Sequence, residues 1–172
     1  LWGTAIVPVR VEALIADDRG TEASTLVETF SRGLRGRSAP AARAALTTSR
    51  AILARGRGDA ARAAQLFSRA ATGWQRLPRP YDALLAREQA AHSLAADDPG
   101  PHPRALLAET VEGLRRLGAR YDADRITEHQ GAGRPPTHRR GPGRRGYGPR
   151  LSPREIEVVR LVTAGHTNRE IA

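Results

Sequence analysis

The chain has 172 residues, no Cys, no Met and no Lys, so all 28 of its cationic side chains are Arg and its net charge is +10. A thiolate metal site, a disulfide framework and a Walker-type phosphate loop, which needs Lys, are therefore excluded within these residues. No apolar run reaches membrane-spanning length and no signal-peptide pattern opens the chain, which leads us to expect a cytoplasmic protein with no membrane contact.

The charge is uneven. Gly131–Arg150 holds six Arg, six Gly, four Pro and no acid. The all-Arg cation set, with abundant Ala, points to a high-GC bacterial genome. The start at Leu1 and the end at Ala172, inside a helical pattern, are expected to be cut points in a longer protein.

Residues 1–130 are rich in Ala, Leu, Arg and Glu and poor in β-branched alternation, which favours helix. Breakers divide them into seven expected helices: Ala5–Ala16, Glu22–Leu34, Ala41–Arg55, Ala60–Gln75, Tyr81–Ala96, Arg104–Leu117 and Ala119–Gln130. The connections are short, such as Arg57-Gly58-Asp59 and Pro78-Arg79-Pro80, so neighbours must pack antiparallel. Expected apolar stripes include Tyr81, Leu84, Leu85 and Leu94 in the fifth helix, and Leu107, Val111, Leu114 and Leu117 in the sixth. Such stripes are buried by stacking helix pairs.

Around Gly58 the pattern of Ala51, Gly58, Ala63, Phe67 and Ala70 resembles the small-residue and aromatic positions of a tetratricopeptide repeat. Small side chains let two helices approach, Gly makes the turn, and the aromatic fills the gap. Thr47, Arg50 and Ala54 stand where the first helix of that repeat usually carries Trp, Leu and Tyr. The fold class expected is all-α: a TPR-like helical repeat over residues 1–130, or an irregular bundle in its place. A disordered basic linker follows over 131–150, with Pro and Gly denying it helix and its Arg side chains repelling one another.

Residues 151–172 read as two capped helices around a glycine turn. Ser152 is placed as a cap, Pro153 suits the first helical position, and Glu155 closes a capping box. Leu151 and Ile156 form a hydrophobic staple, Gly165 ends the helix, and Thr167 with Glu170 repeats the capping-box spacing. The run Leu-Ser-Pro-Arg-Glu, an apolar helix, Ala-Gly and Thr-Asn-Arg-Glu-Ile-Ala resembles the first half of the LuxR-type helix-turn-helix. That resemblance implies a transcriptional regulator which binds promoter DNA as a homodimer. It also implies that the recognition helix, with its base-contacting residues, lies beyond Ala172. DNA-backbone candidates are Thr167, Asn168, Arg169 and Arg154, which position a protein without reading sequence. Thr167 is equally a plain cap, and Arg154 equally a solvated cation.

Rival functions leave weaker traces. Gly141-Pro142-Gly143-Arg144-Arg145-Gly146 fits GxGxxG but lacks a strand before it and a helix after it. His92, His102, His129, His138 and His166 share no ligand spacing, and the carboxylates show no visible pairing. We therefore expect no enzyme, no metal and no cofactor. The second reading is a TPR-like interaction scaffold, with a protein or effector on its surface and no DNA role.

Overall fold

The computed structural model describes residues 3–130; of these, the side chains of residues 3–5 and 130 are left aside. The chain divides into two units, Leu1–Arg134 and Pro135–Ala172, and the described residues lie in the first. The expected linker over 131–150 and the expected helix-turn-helix over 151–172 lie outside the described residues.

Seven helices and, among the described residues, no strand make up the first unit, consistent with an all-α fold. They are α1 (Gly3–Ala16), α2 (Gly20–Gly33), α3 (Pro40–Gly56), α4 (Ala60–Gln75), α5 (Pro80–Asp97), α6 (Pro101–Arg116) and α7 (Arg120–Gln130). The expected boundaries differ mainly at proline. Pro40, Pro80 and Pro101 each open a helix rather than precede it, because a first-turn N–H has no intrahelical partner to lose. Among the described residues no helix is long and apolar enough to cross a membrane.

Three of the turns close in the same way. The α3–α4 turn has Gly58 at φ 78°, its N–H on the Arg55 carbonyl (2.9 Å) and the Asp59 N–H on the Ala54 carbonyl (3.0 Å). Gly118 repeats this between α6 and α7, with bonds of 3.0 Å to Arg115 and, from Ala119, 2.9 Å to Leu114. Asp18 repeats it between α1 and α2 at φ 58°. These paired bonds satisfy carbonyls that the helix end would leave open, and they reverse the chain in two or three residues. Asp59 then caps α4 by accepting from the Arg62 N–H at 2.9 Å.

α1 packs on α2 and α3, and from α2 onward each helix packs on the next. Ala51, Ala63, Phe67 and Ala70 are all buried, at 1 % exposure or less. One apolar cluster joins α1–α4 around Phe67, Ile52 and Val11. A second, almost wholly of Ala around Trp74, joins α3, α4 and α5. A third, with Leu107, Val111, Leu114 and Ile126, joins α5, α6 and α7.

The expected stripe of α5 is corrected. Its buried face is Ala83, Ala86, Ala90 and Ala91, while Leu84, Leu85 and Leu94 are half-buried and Tyr81 is exposed. A central helix approached closely from α4 presents its smallest side chains there, since close-packed interiors leave no room for Leu. Leu117 is likewise corrected: it caps α6 and is 45 % exposed, whereas Leu107, Val111 and Leu114 are buried.

Candidate functional site

Side chains from the odd-numbered helices meet along a groove of about 770 Å³. α1 contributes Val9, Glu12 and Ala13, and α3 contributes Thr48 and Ile52. Trp74 at the end of α4 and Leu85 and Ala86 of α5 complete an apolar floor, while Arg79, Glu88 and Arg125 bring charge. Val9 is 69 % exposed, a large apolar side chain left open on the α1 wall.

Long polar side chains join the odd-numbered helices near the groove. Arg55 of α3 hydrogen-bonds to Glu12 of α1 on one side and to Gln89 of α5 on the other. Its guanidinium also stands over the Phe67 ring, 5.6 Å from the centroid. Further along, Arg125 of α7 donates to both carboxylate oxygens of Glu88 on α5, at 2.6 and 2.8 Å. The Tyr81 hydroxyl donates to Asp122 of α7 at 2.8 Å. Two separate sets of polar contacts thus link α1 to α3 and α3 to α5, and α5 to α7.

Each charge in the groove wall has a stated partner. Arg79 pairs with Asp82 at 2.9 Å and lies 5.1 Å over the Trp74 ring. The Trp74 indole N–H donates to the Thr48 hydroxyl at 3.3 Å, and Thr48 in turn donates to the Ala44 carbonyl. Glu88 is 1 % exposed. Burial alone pushes its carboxyl pKa up, but hydrogen bonds from His92 and Arg125 and the Arg125 charge outweigh that and hold it down to about 2. Asp122 and burial push the Tyr81 hydroxyl pKa up, because a phenolate there would face a carboxylate. Among the described residues no buried side-chain polar atom lacks a partner.

Glu88, Glu12 and Asp82 are each bonded to an arginine. Their partners are 37, 43 and three residues away in sequence. Only the last spacing carries a local signal, since i,i+3 partners share a helix face. What the arrangement offers is an apolar recess with paired charges in its wall, suited to a ligand held by shape and by removal of apolar surface from water.

His92 lies 3.5 Å from Glu88, and a His129 ring nitrogen stands 2.7 Å from the Arg125 carbonyl. No cluster of three or more His, Asp or Glu that would suit a metal ion occurs among the described residues. The sequence-derived DNA-backbone candidates Arg154, Thr167, Asn168 and Arg169 lie outside the described residues, as do the capping residues Ser152, Glu155 and Glu170. The groove was not foreseen from sequence. Its only advance signal is the mixed apolar and charged face of α5.

Comparison of the chain with family models, with curated proteins and with solved structures gives no match.

Proposed function

We propose that this chain is part of a bacterial, cytoplasmic transcriptional regulator, with a TPR-like helical array as its sensing part and a LuxR-type DNA-binding domain beginning at residue 151. The DNA half is supported by the run Leu151–Ala172, with its two capping boxes and glycine turn. Thr167, the amides of Asn168 and Arg169, and Arg154 would contact phosphate, and the parent protein would bind as a homodimer. The helical array takes a binding rather than a catalytic role.

The single observation that carries the sensing half is the groove across α1, α3, α5 and α7. Its volume lies within the ~300–1,000 Å³ range of small-molecule sites. A TPR-like character is supported by the α3–α4 hairpin, where Ala51, Ala63, Phe67 and Ala70 are buried beside a left-handed Gly58.

Reading the gene beyond the Ala172 codon tests the DNA half. A loop followed by a capped helix with a polar or cationic face supports it. A frame that continues without such a helix overturns it. The second reading, an interaction scaffold with no DNA role, is supported by the apolar groove and by the exposed Val9 on its wall.

A further inference from the structure

α3 carries a stripe of arginines that face α2. Arg43, Arg50 and Arg57 follow one another at seven-residue spacing, about 10.5 Å per step along a helix. All three are exposed, and each donates to a neutral acceptor on or just after α2. Arg43 reaches the carbonyls of Leu34 (3.5 Å) and Arg37 (3.0 Å), Arg50 the Ser31 hydroxyl (2.9 Å), and Arg57 the Ser24 hydroxyl (3.0 Å). Arg32 of α2 and Arg35, just after α2, line a cleft of about 250 Å³ together with Arg50 and Ser31.

The contrast with the groove is chemical. Arg79 and Arg125, which line the groove, each pair with a carboxylate, as does Arg55, whose partner Glu12 lines the groove. Among the described residues, none of the five stripe and cleft arginines does. Glu28 is the one acid lining the cleft. Arg32, Arg43, Arg50 and Arg57 are held by neutral acceptors, Arg35 lines the cleft with them and with the single carboxylate of Glu28, and like charges placed this close are unfavourable unless a further anion arrives.

From this geometry we infer that the α2–α3 face of the helical array binds the phosphate backbone of duplex nucleic acid. A stripe spanning about 21 Å over two steps is matched by a repeating polyanion rather than by a single phosphate. Guanidinium groups suit phosphate oxygens because their planar donors bond in pairs. An anionic membrane is the poorer match. Among the described residues the exposed large apolar side chains (Ile6, Val9, Tyr81, Leu117 and Tyr121) all lie off α2 and α3, so this face has no apolar anchor beside its cations. The inference goes beyond the reading of residues 151–172 and does not rest on it.

The experiment is a salt titration of the whole 172-residue chain against a fluorescein-labelled 30-base-pair duplex of random sequence, read by anisotropy. The wild type is compared with Arg32→Ser/Arg35→Ser/Arg50→Ser. Each lost phosphate contact lowers the slope of log K against log salt by about 0.9, so the triple variant is expected to lose about 2–3 from the slope. A variant that removes the same charge from α6, Arg104→Ser/Arg115→Ser/Arg116→Ser, is expected to change it by less than about 1. Should the first triple lose helicity, Arg43→Gln/Arg57→Gln supplies an independent slope, expected to fall by about 2. The basic segment 131–150 and residues 151–172 are the same in every chain, so failure of the DNA-reader proposal leaves this comparison untouched. An unchanged slope in both α2–α3 variants overturns the inference. So does an equal loss from the α6 variant, or binding to phosphatidylserine vesicles tighter than to the duplex.

Discussion

Arg125 on α7 grips Glu88 on α5 through two parallel hydrogen bonds of 2.6 and 2.8 Å, and the carboxylate it holds is 1 % exposed. This pair joins two helices that are not neighbours in sequence. Both residues line the groove.

Removing the cation strands the anion. Arg125→Met is expected to lower stability by about 2–3 kcal/mol, below the ~3–5 kcal/mol of a fully buried pair because Arg125 is itself a third exposed. Glu88→Gln, which keeps an acceptor, is expected to cost less. Urea unfolding of the three proteins measures both. Equal stability of Arg125→Met and wild type would show that the pair contributes nothing net.

The same pair makes stability depend on acid. Glu88 has its carboxyl pKa depressed to about 2 in the folded chain, against 4.5 ordinarily. Its contribution is therefore fully present above pH ~4.5 and disappears as pH falls toward ~2, where the folded carboxylate finally takes a proton. Unfolding free energy measured from pH 6 to pH 2 is expected to fall more steeply in wild type than in Glu88→Gln. Parallel curves would contradict this.

Left-handed turn positions separate by residue type. Gly58 and Gly118, at φ 78° and 80°, have open space around an added Cβ, so Gly→Ala costs only backbone strain, about 1 kcal/mol each. Asp18 occupies the same conformation at φ 58°. Asp18→Gly is expected to stabilise by about 0.5–1 kcal/mol, since Gly adopts that region without steric cost. Thermal melts give the sign directly, and a lower melting temperature for Asp18→Gly would reverse the assignment.

Phe67 fills the meeting of α3 and α4 at 1 % exposure. Phe67→Ala is expected to cost about 3–5 kcal/mol, by lost transfer energy plus the cavity left behind. Denaturant unfolding reads this. A cost below about 1 kcal/mol would mean that the hairpin repacks around the gap.

The groove makes a prediction of its own. A neutral apolar probe, N-phenyl-1-naphthylamine, is expected to bind with enhanced emission and to be excluded at least tenfold by Ala13→Trp, which places an indole in the recess. Ala13 is exposed, so the substitution leaves the core intact. Equal probe binding by both proteins would locate the apolar site elsewhere.

All seven helices are legible in the sequence because breakers and apolar spacing are local signals. Helix termination at Gly58 and Gly118 depends on the residue itself, and the antiparallel packing of neighbours follows from connections of a few residues. Pairing of Glu88 with Arg125, of Glu12 with Arg55, and the bond from Tyr81 to Asp122 was not legible. Each joins side chains about 37 to 43 residues apart that share no helix.

The burial of α5 shows the same division. Sequence hydrophobicity assigns the core to its leucines, yet the helix buries Ala83, Ala86, Ala90 and Ala91. Sequence by itself determined which segments coil and where they stop, since those choices rest on backbone conformation and neighbours within one turn. Only the tertiary structure decided which face each helix buries, which charges neutralise one another, and where arginines remain unpaired. Those outcomes depend on how closely distant helices approach, and no local pattern encodes that distance.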